Sequence, residues 1–372
     1  GTAITTGDEN VAVGYNALST NTTGSGNVAI GKDALLNNLT GVNNVAVGDS
    51  AGENTIGSNN TAIGDKALII NTHGSHSVAI GKAALTQQNY TTATTAYNVA
   101  IGSSAGVNVS TGIQNTLIGA LAGDELTDAD ENTAVGLGAL SGDFLGSKTT
   151  AIGRGALLSQ NFNTATDTYN TAVGYFAGLA VTTGVQNTII GGLAGDSLTD
   201  ADFNVAVGMS ALAGDTLGSK STALGYFALS VQNFTTATDV FNVAVGHGAG
   251  AAVTTGVQNT LIGSLAGDAL TDADFNVALG MGALTTDTLG SRSTAIGTHA
   301  LQESTFTTAT NTYNTAVGYD AGQQVTTGIR NTLIGAEAGD AITTGNNNVA
   351  VGSGSLTTNI LSDHNVAIGN GA

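Results

Sequence analysis

The chain contains no proline, no cysteine and no tryptophan, and only 9% of its residues are charged. Without cysteine the composition fits any redox compartment, and the five histidines, His73, His76, His247, His299 and His364, have no thiolate to share a zinc ion with. Basic residues are scarce as well, with eight Lys and Arg against 27 Asp and Glu, a net charge of −19. So acidic a chain has no basic patch to neutralise phosphates, which excludes nucleic acid and an anionic membrane surface as partners. No apolar run approaches the roughly 18–20 residues of a membrane-spanning helix, so no membrane insertion is expected of this segment. What the chain does have is 54 glycines and a hydrophobic content of 41%, much of it Ala and Val. Hydrophobicity at that level is too high for a disordered chain, and side chains that small imply a thin core built many times over.

The repetition is explicit. The phrase Asn-(Thr/Val)-Ala-(Val/Ile/Leu)-Gly recurs 21 times, the copies separated by 17 residues in fifteen cases, 21 in four and 16 in one. A longer period of 72 residues, four short units, runs from about 115 to 330, as in NTLIGALAGDELTDAD, NTIIGGLAGDSLTDAD and NTLIGSLAGDALTDAD. Residues 1–372 thus read as a single repeat array. The chain opens on GTAIT and closes on NVAIGNGA, in mid-pattern, which suggests an excerpt of a longer polypeptide.

The phrase reads as a short strand. Alternation puts Val11 and Val13 on one face and Ala12 on the other, and the Ala-Leu or Ala-Gly pair after the Gly suggests a second strand or corner. Gly24, Gly41, Gly74, Gly112, Gly184, Gly256 and Gly328, three residues before the next Asn, are expected to supply a positive φ to the closing turn. Seventeen of the 21 units begin with Asn, and the amides are expected to stack as a ladder between coils. Absent proline fits, because each coil needs its backbone N–H groups for a parallel ladder. The expected fold is therefore all-β, a parallel β-solenoid (β-roll) of about 21 short coils. The Ala12, Ala29 and Ala46 column is expected to face outward as a small-residue surface for another chain.

Ser77, Thr149, Ser221 and Ser293 replace the Asn, and each opens a 21-residue coil with a Thr-rich bulge. The bulges carry aromatic pairs, Tyr90/Tyr97, Phe162/Tyr169, Phe234/Phe241 and Phe306/Tyr313, candidates for lateral contact with sugars or for covering the enlarged coil. His76, Lys148, Lys220 and Arg292 precede the substituted residue, and where an acidic turn stands one coil earlier, at Asp130/Glu131, Asp202 and Asp274, the charges are in reach of each other.

The phrases NVAIGKDAL, NTAVGYFAG and STAIGTHAL resemble the head repeats of YadA-like trimeric autotransporter adhesins and the NTAVGxxAL arrays of bacteriophage tail fibres and bacterial surface fibres. The likeness covers essentially the whole chain, although the coils here are longer than those of the adhesin head. It implies a homotrimeric fibre outside the cell, on a cell surface or in a virion tail. The expected function is a structural shaft or adhesive segment that holds a distal tip, with itself as partner and surface glycans or neighbouring fibres as further contacts. The alternative is a carbohydrate- or ice-binding solenoid module acting through its lateral face.

Signals of catalysis are thin. GDSAG (Gly48–Gly52) and GSSAG (Gly102–Gly106) match Gly-x-Ser-x-Gly, but both are the repeat frame with Ser in a variable column. GNVAIGKD (Gly26–Asp33) nearly spells a phosphate-binding loop, with Asp33 where Ser or Thr would hold magnesium. The chain is expected to be no enzyme and to need no cofactor. One carboxylate cluster recurs: Asp124, Asp128 and Asp130; Asp196, Asp200 and Asp202; Asp268, Asp272 and Asp274. It reads either as a calcium site or as a solvated Asx-type turn.

Overall fold

A computed structural model describes residues 3–372; Gly1 and Thr2, the start of the opening GTAIT, lie outside the described residues. The fold is a parallel β-solenoid with one three-residue strand per coil and no helix among the described residues. Two compact units divide it, Gly1–Gln186 and Asn187–Ala372. The first holds ten of these strands, from Val11–Val13 to Thr171–Val173, and the second eleven, from Thr188–Ile190 to Val366–Ile368.

Within each unit the strands pair in register with the equivalent residues of the next coil, Ala12 with Ala29 and Ala206 with Ala223. The backbone enforces that register: Val28 N–H donates to Asn44 O at 2.8 Å and Gly31 N–H to Val13 O at 2.8 Å. The Gly that ends each phrase cannot be replaced. Gly136 adopts φ 138°, and a Cβ there would stand 2.6 Å from the carbonyl carbon of Gly153.

The strand faces are the reverse of the sequence expectation. Ala29, Ala134 and Ala206 are fully buried in the chain's own core, while Ile30, Ile152 and Leu224, in the outer column, are 40%, 38% and 44% exposed. The core is thin and in most coils holds only Ala on the strand side, so the Ala column is packing within one chain and not a surface for a second. The Ala-Leu segment is a corner rather than a second strand: Leu18, Leu35 and Leu140 are buried there in left-handed conformation at φ 52°, 48° and 55°.

Those corners obey an exchange of sizes. Where the corner carries Leu, the residue three later is buried and polar, as in Leu35/Asn38 and Leu140/Asp143. Where it carries Gly, the residue three later is usually apolar, as in Gly106/Val109 and Gly123/Leu126. Leu117 then replaces Ala on the strand and fills the space: a Cβ on Gly106 would lie 2.6 Å from its Cδ1, and one on Gly123 2.8 Å from its Cδ2. Ile189, Leu261 and Leu333 recur at the same place in each period.

The Asn ladder is present, but its main bond differs from amide stacking. Asn10 Oδ1 accepts from Asn27 N–H at 2.9 Å, and Asn10 Nδ2 donates to Gly24 O at 2.8 Å. Each side chain therefore ties the start of its own coil to the end of that coil and to the next, satisfying backbone groups that would otherwise be buried unpaired. The positive φ of the turn also lies elsewhere. Gly24, Gly41, Gly74, Gly112, Gly256 and Gly328 are not left-handed; they are there because a Cβ would strike the next coil or a neighbouring side chain. The left-handed position is the residue directly before each Asn or the Ser or Thr that replaces it, occupied by Glu9, Asn43, Tyr97, Lys148, Phe203 and their equivalents.

Candidate functional site: the outer strand face and its flanking columns

Each strand presents two outward side chains. The first is Thr or Val, as in Thr133, Thr150 and Val205, and the second Val, Ile or Leu; together they form an apolar strip along each unit. Beside it runs the column of left-handed residues, where much of the chain's positive charge and exposed aromatic surface collects. Lys148 Nζ stands 5.4 Å from the Tyr169 ring centroid, Lys220 Nζ 5.3 Å from that of Phe241, and the Arg292 guanidinium 4.5 Å from that of Phe275. His76 packs on Tyr97 with centroids 5.4 Å apart.

The structure splits the aromatic pairs of the bulges. Tyr90, Phe162, Phe234 and Phe306 fold inward and are 5–7% exposed, whereas Tyr97, Tyr169, Phe241 and Tyr313 stand out at 48–55%. Tyr90 O–H donates to Gly112 O at 2.7 Å, and burial pushes its phenol pKa well up. The cations do not form their ion pairs with the acidic turns. Lys148 bonds Asp167 Oδ2 at 2.5 Å and Lys220 bonds Asp239 Oδ2 at 2.5 Å, both on the bulge strand, while Arg292 Nε donates to Asn311 Oδ1 at 3.0 Å. Two-stranded pairs such as Gly146–Ser147 with Thr166–Asp167 hold each bulge in place.

Under each bulge lies a buried polar network, and under three of them its Gln accounts for the loss of Asn. Gln160 Nε2 donates to Asp143 Oδ2 at 2.6 Å and to Thr149 Oγ1 at 3.1 Å, and Asn170 Nδ2 donates to Gln160 Oε1 at 2.9 Å. The Gln occupies room that an Asn in place of Thr149 would need; Gln88 with Ser77 and Gln232 with Ser221 repeat the arrangement. Burial pushes the Asp143 and Asp287 carboxyls above the ordinary carboxylate range, against the hydrogen bonds from Gln160 and Gly290 that pull them down. No sequence pattern had pointed to this network, although Gln falling before three of the bulges was a visible signal.

The acidic turns hold coils together. Asp130 Oδ1 accepts from Ile113 N–H at 2.7 Å and Asp274 Oδ1 from Val257 N–H at 2.8 Å, the bond that Ser58 Oγ makes to Val42 N–H at 3.1 Å elsewhere. Asp128 Oδ1 accepts from Thr111 Oγ1 at 2.5 Å, Asp272 Oδ1 from Thr255 Oγ1 at 2.6 Å, and Asp124 Oδ1 from Ser141 Oγ at 2.5 Å. Asp200 and Asp202 occupy the same places in the intervening copy. Asp196 and Asp268 each bury an Oδ1 without a hydrogen-bond partner, and burial raises both carboxyls. Among the described residues no three His, Cys, Asp or Glu side chains converge as a metal ion would require. Ser50 and Ser104, the serines of GDSAG and GSSAG, sit on left-handed corners at φ 53° and 56°.

The chain matches no protein-family model and no curated protein. Its chemistry is therefore read from the columns themselves, an apolar strip edged by aromatic and cationic side chains.

Proposed function

We propose that the chain is a structural shaft or adhesive segment of an extracellular or virion fibre, a homotrimer that holds a distal tip away from its surface. The observation that supports it is the in-register stack itself: each strand bonds only to the coil before and the coil after, so length grows by adding coils. The outer strand face also leaves Ile30, Ile152, Ile190 and Leu224 more than a third exposed, an apolar surface that a second chain could cover. On this reading the contact between chains is the outer strand face and not the Ala column. Sedimentation equilibrium tests the association, and a stable monomer at micromolar concentration refutes it. Inserting one more 72-residue period should lengthen the particles by about 19 Å in electron micrographs, four coils at ~4.8 Å. An unchanged length would refute the shaft.

A second reading, contact with surface glycans or neighbouring fibres, is favoured by the exposed Tyr97, Tyr169, Phe241 and Tyr313. Glycan-array binding that Tyr169→Ala and Phe241→Ala abolish would establish it; no binding by the native chain would remove it.

A further inference from the structure

On the corner of the first unit, two successive coils place glycine at the same step after their strands, Gly138 and Gly155, left-handed at φ 64° and 63°. The coils on either side put Leu121 and Phe176 at that step. The Phe176 ring leans over Gly155, 2.4 Å from where a Cβ would stand, and beside it lies a notch of about 310 Å³ walled by Leu121, Leu137, Leu158 and Phe176. Leu121 and Leu137 are 44% and 49% exposed there.

Two polar side chains line the notch, Ser141 and Arg154. The Ser141 hydroxyl is spent on Asp124 Oδ1. Arg154 is held by cation–π contacts, its guanidinium 5.4 Å from the Phe176 centroid and 5.8 Å from that of Tyr175. No carboxylate forms an ion pair with it among the described residues, in a chain whose net charge is −19. An apolar notch with one preorganised, unpaired cation is complementary to an anion with an apolar body.

The next period fills these steps with other residues. One period on, Phe227 stands at the step of Gly155, Tyr226 at that of Arg154 and Gly248 at that of Phe176, and the Tyr226 and Phe227 rings pack edge to face at 4.3 Å. The fold therefore does not need Arg154, Gly155 and Phe176 at these steps.

We propose that this notch binds a small carboxylate of the medium-chain fatty-acid class, its tail against the leucines and Phe176 and its carboxylate on Arg154. The volume is at the small end of the roughly 300–1,000 Å³ of ligand pockets, which favours a medium chain over a long one. This site stands independently of the fibre reading.

The test is calorimetric titration of the full chain with decanoate, and with decanol as the uncharged control. The expected result is saturable one-to-one binding of decanoate that Arg154→Gln weakens by about tenfold or more, with decanol unaffected by that change. Gly155→Phe combined with Phe176→Gly, which copies Phe227 and Gly248, should abolish binding of both while the circular dichroism spectrum is unchanged. Absent binding, non-saturable uptake, decanol binding as tightly as decanoate, or decanoate affinity that neither variant alters would each overturn the proposal.

Discussion

Leu117→Ala tests the exchange of sizes that builds the core. Leu117 is fully buried, and its two methyl groups reach toward the empty places of Gly106 and Gly123 in successive corners. Truncation removes a large side chain directed between two residues that have none, and Leu85, Val109 and Leu126, already packed there, have little freedom to refill the space. Leu→Ala in a core costs about 2–5 kcal/mol, and rigid surroundings put this site in the upper half, about 3–5 kcal/mol. A repeat array does not unfold as one unit, so the suitable assay is local. Amide hydrogen exchange by mass spectrometry should show protection falling roughly a hundredfold to several-thousandfold in peptides covering residues 98–132, at 1.4 kcal/mol per decade. Peptides around residues 27–60, several coils away, should be unchanged. A loss below about tenfold at the site, or one spread evenly over the first unit, would refute the reasoning.

Gly123→Leu should also destabilise, by about 1–3 kcal/mol in chemical denaturation, from overfilling against Leu126 and Leu117 on top of the cost of a side chain at φ 54°, a conformation Leu140 adopts at φ 55°. Asn115→Ala removes the donor to Ala129 O and the acceptor of Asn132 N–H, at about 1–3 kcal/mol for each buried group left unpaired; a melting temperature equal to wild type would contradict the ladder. Because the folded pKa values of Asp143 and Asp287 are raised, the folded chain holds protons there that the unfolded chain has released. Their contribution to stability therefore improves as pH falls from the raised folded values toward the ordinary value near 4, and Asp143→Asn should flatten that part of the stability–pH curve. Deleting residues 204–275, one full period of the second unit, should leave a cooperatively folded chain by circular dichroism, whereas an unfolded product would mean that the period records only ancestry.

The solenoid, its period, the strand at each Asn phrase and the placement of the bulges were all legible in the sequence, because every coil repeats the same signals. The direction of the faces was not. Alternation separates Ala12 from Val11 and Val13 but does not say which side is inward, and small size suggested a surface for close approach when it marked the narrow inside of the coil. The left-handed step was hidden for a different reason: Glu9, Tyr97, Lys148 and Phe203 share no chemistry, and the conspicuous Gly24 and Gly41 drew attention to the wrong turn. The exchange between corner and core was written plainly in pairs such as Leu35/Asn38 and Gly123/Leu126, and emerges only when the coils are compared column by column. For the lateral contacts, sequence offered both aromatics of each bulge alike; only packing shows that Phe162 closes the coil and Tyr169 does not.

The left-handed residue before each Asn has one more consequence. Its backbone angle is nearly constant, φ 57° at Glu9, 60° at Lys148 and 59° at Phe203, whichever side chain it carries. Folding thus asks almost nothing of the side chain at that step, which projects at a fixed angle once per coil. The column works as a row of identical sockets about 4.8 Å apart. Acid, base, amide or ring can be exchanged in any socket without disturbing the ladder behind it, so a chain of this design can alter what its flank displays while its frame stays the same.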